Sequence, residues 1–440
     1  MRNNIVVAIF CVCALIISVS GLSCTTGKDL GNIASGKEEC FRRGVDNQPA
    51  FLETVKVAEK FIQDANVRFN TVKLHDAGLP PMDMVLARKG KVSGTAVVSY
   101  PGIRTGHLAG MSFMQDDALA LIWFASNGNR EAARSLAKTL MSLQNSDGSF
   151  GYSFSTGSDG FYNMRYIKTG VVAWAAYALL YYGFSMDDSR AVDASAKAIN
   201  FIKEMQNLES GGPEYGLVRS GFGSWSQGYS EFDPCYLEKE YMTTNQFVSD
   251  MLFKASGVTG VRAGLIEDGL MSRMWLDQEG RFAEGSFESG MDVRRSLNAA
   301  GAWGALWLVM TGNNPAALKS YTYSAAEFKN IHGPVTGYKP FLDKFNGLGG
   351  EDVTDVISLE GTFAMGLAAF RLGDRVAAQK ALDLGSAMQC LAGPGMPYTS
   401  RDAGDLRASP SVSSTLWFLF LEREFSGKGK APLFNIERKM

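Results

Sequence analysis

Five times along this chain an apolar run, a tight turn with glycine and a one-sided amphipathic segment follow one another, and that alternation leaves few folds open. The turns are Ser126-Asn127-Gly128-Asn129, Gly183-Phe184-Ser185-Met186-Asp187, Gly257-Val258-Thr259-Gly260, Thr311-Gly312-Asn313-Asn314-Pro315 and Leu372-Gly373-Asp374. Each offers a glycine for the left-handed stop of a helix, and most follow it with Asn, Asp or Ser to start the next. Turns this short between helices make antiparallel hairpins.

The two helices of each hairpin differ in kind. Runs before the turns, such as Val171 to Tyr182, Ala299 to Met310 and Phe363 to Phe370, are apolar nearly all round and must be buried. Runs after them, such as Arg130 to Leu143, Arg190 to Met205 and Arg375 to Met388, alternate Ala, Leu and Ile with charge at helical spacing and face water. Buried helices alternating with surface helices describe two concentric rings. An outer helix from Phe51 to Asn66 opens the series and an inner one from Val412 to Phe425 closes it. Inner helices begin near Phe113, Lys168, Met242, Leu297, Ile357 and Val412, which makes twelve helices in all. The first and last then pair, and the expected fold is all-α: an (α/α)6 toroid of six helical hairpins. An open solenoid competes, but its repeats are shorter and lack long aromatic loops.

Every short turn follows an inner helix, and every long loop precedes one. The long loops therefore gather on one rim, where the N-termini of the inner helices bring free backbone donors and positive potential. Those loops are rich in rings: Phe150, Tyr152, Phe154, Phe161, Tyr162, Tyr166, Phe222, Trp225, Tyr229, Tyr236, Phe282, Phe287 and Tyr398. Sugars stack their apolar faces on exposed aromatics and leave their polar edges to acids and amides, so a rim with both suits a saccharide. The same rings serve equally well as loop core.

Residues 1–24 read as a targeting segment, with Arg2 ahead of an apolar run from Ile5 to Val19 and small residues up to Cys24. A lipoprotein signal would start the mature chain at Cys24, although Gly21 stands where an aliphatic residue is usual. Ordinary cleavage and an uncleaved anchor remain as alternatives. The protein is expected to be exported, to the periplasm, a lipid-anchored membrane position or the cell surface. Residues 25–46 read as a tether, 47–427 as the toroid and 428–440 as a C-terminal tail. Outside the signal, Cys24, Cys40, Cys235 and Cys390 are widely spaced, with no CxxC. A disulfide suits an oxidising compartment, but the sequence does not pair them.

Acids stand where the buried helices begin. Asp116 and Asp117 open the first inner helix, about 100° apart, so only one can face the ring centre squarely. Glu360 enters the apolar fifth inner helix, where a charge needs compensation or a function, and Gly361 beside it would leave room for a ligand. Lys168 and Thr169 precede the second inner helix; Thr243, Thr244 and Asn245 open the third, with the threonines also suited to capping. A net charge of −2 gives no basic footprint for nucleic acid. The histidines His75, His107 and His332 have no metal-ligand spacing, and no nucleophile elbow, dinucleotide fingerprint or P-loop appears. No metal or cofactor is expected, and the chain is expected to be monomeric.

Several of these stretches carry a resemblance. Gln115-Asp116-Asp117-Ala118-Leu119-Ala120-Leu121, Leu143-Gln144-Asn145-Ser146-Asp147-Gly148-Ser149-Phe150, Ile167-Lys168-Thr169-Gly170 with Ala173-Trp174, Leu359-Glu360-Gly361-Thr362 and Met396-Pro397-Tyr398-Thr399-Ser400 resemble, in that order, motifs of bacterial six-hairpin glycosidase-like proteins. The resemblance covers the chain from about residue 100 onward. It implies the toroid and carbohydrate chemistry, with Asp116 rather than Asp117 in the matching acidic position and Glu360 in the other. Thr243 and Thr244 depart from an acid and histidine that many relatives carry before the asparagine. The expected function is a glycoside hydrolase acting on an oligosaccharide or polysaccharide. Its catalytic set would be Glu360 as acid, Asp116 as base and the adjacent Asp117. Tyr152, Arg165, Tyr166, Lys168, Trp225, Asn245 and Tyr398 would hold the substrate. The alternatives are a non-catalytic glycan-binding or envelope-assembly protein, favoured by Thr243-Thr244, and a polysaccharide lyase built on Tyr166, Arg165 and Lys168.

Overall fold

Each apolar run and each amphipathic run is a helix in the computed structural model, which describes residues 38–73, 91–106, 108–156, 166–225, 232–258, 261–287, 290–332, 335–343, 355–403 and 406–436. The outer helices are α1 (Gln48–Ala65), α3 (Arg130–Leu143), α5 (Ser189–Met205), α7 (Val261–Gly269), α9 (Asn314–Glu327) and α11 (Arg375–Ala392). The inner ones are α2 (Met114–Ser126), α4 (Thr169–Met186), α6 (Thr243–Ala255), α8 (Trp303–Met310, entered through a π-turn at Asn298–Ala302), α10 (Leu359–Arg371) and α12 (Val412–Phe425). Side chains of α3 and α5 are buried on one face only, whereas α2, α4 and α6 are buried nearly all round.

Turn chemistry sets the hairpins. Asn129, Asp188, Asn313 and Asp374 cap the following outer helices, each accepting from a backbone N–H in the first turn. Gly128, Gly257, Gly312 and Gly373 take positive φ between the paired helices. The second turn departs from expectation. Gly183 lies inside α4, where a Cβ would meet Val192 at 2.7 Å, and Asp187 takes the left-handed stop at φ +57°. There glycine serves the close approach of α5 rather than the chain reversal.

The inner helices pack in the order α2, α4, α6, α8, α10, α12, and α12 returns to α2, so the ring is closed; α1 packs on α11 and α12. A disulfide between Cys40 and Cys390 fastens the segment before α1 to the end of α11, bridging 350 positions with Cα atoms 5.5 Å apart. The solved structures compared below share this (α/α)6 toroid.

The long loops carry short antiparallel strands at the N-terminal mouth of the ring. Met111–Phe113 pairs with Ser153–Ser155, Ile167–Lys168 joins Gly221–Trp225 and Phe232–Leu237, and Glu240–Met242 and Gly290–Asp292 flank Gly285–Phe287. These ladders fix the residue that enters each inner helix. At the opposite mouth, residues 431–434, part of the stretch 428–440 read from sequence as a tail, pack inside the ring. Ala431, Leu433 and Phe434 are buried. Tyr177 of α4 donates to the Pro432 carbonyl, Phe434 N–H points at the sulfur of Met251 of α6, and Arg371 of α10 donates to the Phe434 carbonyl at 2.9 Å. Arg371 also pairs with Glu424 of α12, whose carboxylate accepts from Ala431 N–H at 2.8 Å. Five of the six inner helices touch this plug once Trp303 of α8, packed on Phe434, is counted.

Candidate functional site

The two neighbouring aspartates are separated by their partners. One Asp117 oxygen accepts from Val97 N–H at 2.8 Å and the other from the Ser112 hydroxyl at 2.7 Å, tying strand Lys91–Val97 to the start of α2. Burial pushes its carboxyl up to about 7, against the pull of those two donors. Asp116, turned away from it on the helix, is 2% exposed. Burial raises its carboxyl well above the usual range; a hydrogen bond from Ser99 opposes this, and the charges of Glu360 and Asp117 add to it. Its Oδ1 has no protein partner.

Glu360 enters the ring on α10, where Ser358 caps the helix by accepting from Gly361 N–H at 3.2 Å. The Ser413 hydroxyl of α12 donates to Glu360 at 2.8 Å, and burial lifts the carboxyl to about 7. Asp116 and Glu360 each lie in the first turn of an inner helix, so both stand at the N-terminal mouth, with α12 between their helices in the ring. A cavity of about 10 Å³ opens beside Glu360, bounded by Ser296, Asn298, Phe341 and Tyr398. That space is about one water. Gly361 does not make it: a Cβ there would meet Leu297 Cδ2 at 2.5 Å, so the small residue admits leucine rather than a ligand.

A second group of charges lies on the neighbouring arc of the rim. Lys168 pairs with Glu238 and lies 5.1 Å from the centre of the Tyr166 ring. Arg294 pairs with Asp292 at 2.6 Å. Glu240 and Glu284 are each raised to about 7, by burial first; the Glu238 charge adds to the shift of Glu240, and hydrogen bonds from Ser296 oppose that of Glu284. Backbone bonds hold Glu284 in place, its C=O accepting from Thr243 N–H and its N–H donating to Asp292 C=O. Sequence reading missed Glu238, Glu240, Glu284 and Asp292 because loop acids have no periodicity. The signal available was an acid flanked by the small residues Ala283 and Gly285 between Phe282 and Phe287.

The aromatics expected as platforms pack mostly on one another. Tyr152 stands edge-on to Phe113, Phe113 to Tyr100, and Tyr100 to Tyr398, and all are buried. Among the described residues, Tyr398 alone of the expected binders reaches the cavity at Glu360. Tyr166 is buried under Lys168. Asn245 opens α6 with its Oδ1 where a Gly170 side chain would lie and its Nδ2 without a protein partner. Arg165, His75 and His107 lie outside the described residues, as do residues 1–37, and Trp225 is described only as part of its strand. Among the described residues no three His, Cys, Asp or Glu side chains are placed to hold a metal ion, and no helix is long and apolar enough to cross a membrane.

Below the acids the ring is floored with indoles. Trp174 packs edge-on to Trp303 at 5.7 Å between centroids, and Trp303 stacks on Trp417 at 6.1 Å. These contacts join α4, α8 and α12, alternate members of the ring, and so cross its axis. Phe434 of the plug lies against Trp174 and Trp303, each at 6.0 Å. The three indole N–H groups have no protein partner.

No family model and no curated protein matches the chain. Solved structures match along most of its length. A D-mannose isomerase aligns over 88% of this chain and 99% of its own at a TM-score of 0.58 and 10% identity. A glycosidase aligns over 86% and 98% at 0.55 and 13%. A cellobiose 2-epimerase from Bacillus thermoamylovorans aligns over 75% and 92% at 0.54 and 10%. At such identities the likeness is one of fold: this chain has the six-hairpin toroid of those proteins.

Proposed function

We propose that the chain is a carbohydrate-active enzyme, and that its reaction is glycoside hydrolysis at the N-terminal mouth of the ring. The observation that carries this reading is that Asp116 and Glu360 are both buried where inner helices begin at one mouth, Glu360 beside a cavity, and that among the described residues neither makes an ion pair. Glu360, with its carboxyl near 7, keeps a proton to give to a departing glycosidic oxygen at neutral pH. Burial raises the Asp116 carboxyl well above its usual range. Once water and substrate enter and rehydrate it, it gives its proton to solvent and can then take one from the attacking water. A sugar ring is far larger than the present cavity, so Phe341 and Tyr398 must give way for it to enter.

Support also comes from the proteins of similar fold, which include glycosidases, a mannanase, a mannose isomerase and epimerases. The isomerase and epimerases favour a second reading, sugar isomerisation or epimerisation, in which the two carboxyls pass protons without consuming water. Incubation with panels of oligosaccharides and free sugars, followed by NMR and mass spectrometry, separates the two. Hydrolysis adds water and shows the anomer first released, whereas isomerisation leaves mass unchanged. Glu360→Gln and Asp116→Asn should each abolish turnover; full activity in both variants overturns the assignment. Binding with no product in any arm identifies a glycan-binding protein instead.

Export belongs to the same proposal. The basic and apolar N-terminal run supports it, and the Cys40–Cys390 bridge suits an oxidising compartment. Cell fractionation with an antibody to the chain tests it, and recovery in the cytosol refutes it.

A further inference from the structure

Glu360 is met by two different parts of the chain. The cavity beside it is bounded by residues of 296–298 and 340–341 with Ser358 and Tyr398, and among the described residues no side chain of α12 lines it. From α12 comes the Ser413 hydroxyl, which donates to Glu360 Oε2 at 2.8 Å. Both residues are buried. Oε1 has no protein partner among the described residues.

Backbone bonds fix where that hydroxyl stands. Ser411 caps α12 by accepting from Ser414 N–H at 3.2 Å, and Val412 N–H donates to the Ser99 carbonyl at 3.0 Å. The Thr415 hydroxyl accepts from Met396 N–H at 2.9 Å, while Leu359 N–H donates to the Tyr398 carbonyl at 3.0 Å. The segment from Met396 to Tyr398 thus holds the starts of α10 and α12 in one frame.

A protonated Glu360 carries its proton on one of two oxygens. On Oε2 the proton would point at Ser413, whose own proton would have to leave the bond that it now makes. Ser413 has no second hydrogen-bond partner among the described residues, and a buried donor left open destabilises the fold. With the proton on Oε1 both groups are satisfied, and the oxygen that carries it is the one no side chain claims.

We propose that Ser413 is a positioning residue for the proton donor: by occupying Oε2 it places the transferable proton on Oε1, the oxygen free to meet a substrate. This rests on the carbohydrate reading above and deepens it. A donor to the ionised carboxyl favours that form, so Ser413 also opposes the rise that burial gives Glu360. Asp116 of α2 feels the Glu360 charge and Tyr398 borders the same cavity. Among the described residues no group of α8, α11 or α12 besides Ser413 contributes to the Glu360 shift.

The test compares the intact protein with Ser413→Ala and Ser414→Ala, neighbouring hydroxyls of which the second is buried without a protein partner. Carboxyl carbon NMR of glutamate-labelled protein, with the Glu360 signal assigned by its loss in Glu360→Gln, follows the titration without any substrate. Glu360, lifted to about 7 in the wild type, should titrate about one pH unit higher in Ser413→Ala. It should stay at the wild-type position in Ser414→Ala and in Ser413→Thr, which keeps the hydroxyl. On a substrate found by the panels above, Ser413→Ala should lower kcat about tenfold with KM held, and the alkaline limb of the pH profile should rise with the carboxyl. An unmoved Glu360 in Ser413→Ala, an equal shift in both alanine variants or an unchanged kcat overturns the proposal. Absence of turnover in the wild type overturns the carbohydrate reading alone, because the carboxyl titration decides the hold of Ser413 on Oε2 with no sugar present.

Discussion

Breaking the Cys40–Cys390 bridge tests how the ring is held shut. Cys390→Ser removes a cross-link spanning 350 positions. In the chain-entropy model a loop that long withholds about 6 kcal/mol from the denatured state, and bridges commonly deliver about 2–4 kcal/mol. A chain of 440 residues unfolds with an entropy of about 0.9 kcal/mol/K, so Tm should fall by about 2–7 °C. The loss has a local component too. Next to the bridge, Asp383 of α11 accepts from Val45 N–H at 2.6 Å, and Gln379 donates to Asp46 at 3.0 Å. Calorimetry of wild type, Cys390→Ser and Cys40→Ser/Cys390→Ser without reductant, with free thiols counted, gives the number. An unchanged Tm with the bridge proven absent refutes the reasoning. If hydrogen exchange then quickens only at residues 38–47, the bridge guards a fraying end and not the denatured ensemble.

Asp117→Ala should destabilise by about 2–5 kcal/mol, because Val97 N–H and the Ser112 hydroxyl lose their acceptor, whereas Asp116→Asn should leave Tm within about 1 °C; chemical denaturation ranks the two, and equal losses refute the division of labour. Asp117, Glu240, Asp250, Glu284 and Glu360 all have carboxyls raised to about 7. Below pH 4 these acids are protonated in both states. As pH climbs to 7 and beyond, the unfolded chain ionises first, so stability present in acid is lost; Tm at pH 5 should exceed Tm at pH 8, and the opposite order refutes the burial of these groups. Phe434→Ala opens a void under Trp174 and Trp303 and should remove about 3–5 kcal/mol, read by urea unfolding; a loss under 1 kcal/mol would show that the plug is loosely seated.

The ring was legible because its signals are periodic. Starts expected near Phe113, Lys168, Met242, Leu297 and Val412 fall within a residue of the observed helices or their entering turn, and Ile357 lies two residues before Leu359. Greasy and one-sided stretches alternate, and that pattern survives without knowledge of any partner. Helix geometry alone did not separate Asp117 from Asp116, which only the resemblance did, since the amide that claims Asp117 belongs to Val97, twenty positions upstream in a strand with no clear alternation. Gly361 misled because a glycine beside an acid reads the same whether the space admits a sugar or Leu297. Loop acids such as Glu284, and the plug at 431–434, are placed by tertiary contacts alone. Local propensity carries no trace of them.

Sealing from behind has a consequence for how such a chain matures. Phe434 wedges beneath indoles contributed by segments that left the ribosome more than a hundred positions earlier. The aromatic layer at the axis therefore has no underside until residues 431–434 are made, and α1 likewise waits for α12. A partly made chain would keep its greasy helices unsatisfied throughout synthesis, prone to stick or be clipped. Closing the ring and sealing its axis thus depend on residues far downstream of the hairpins they complete.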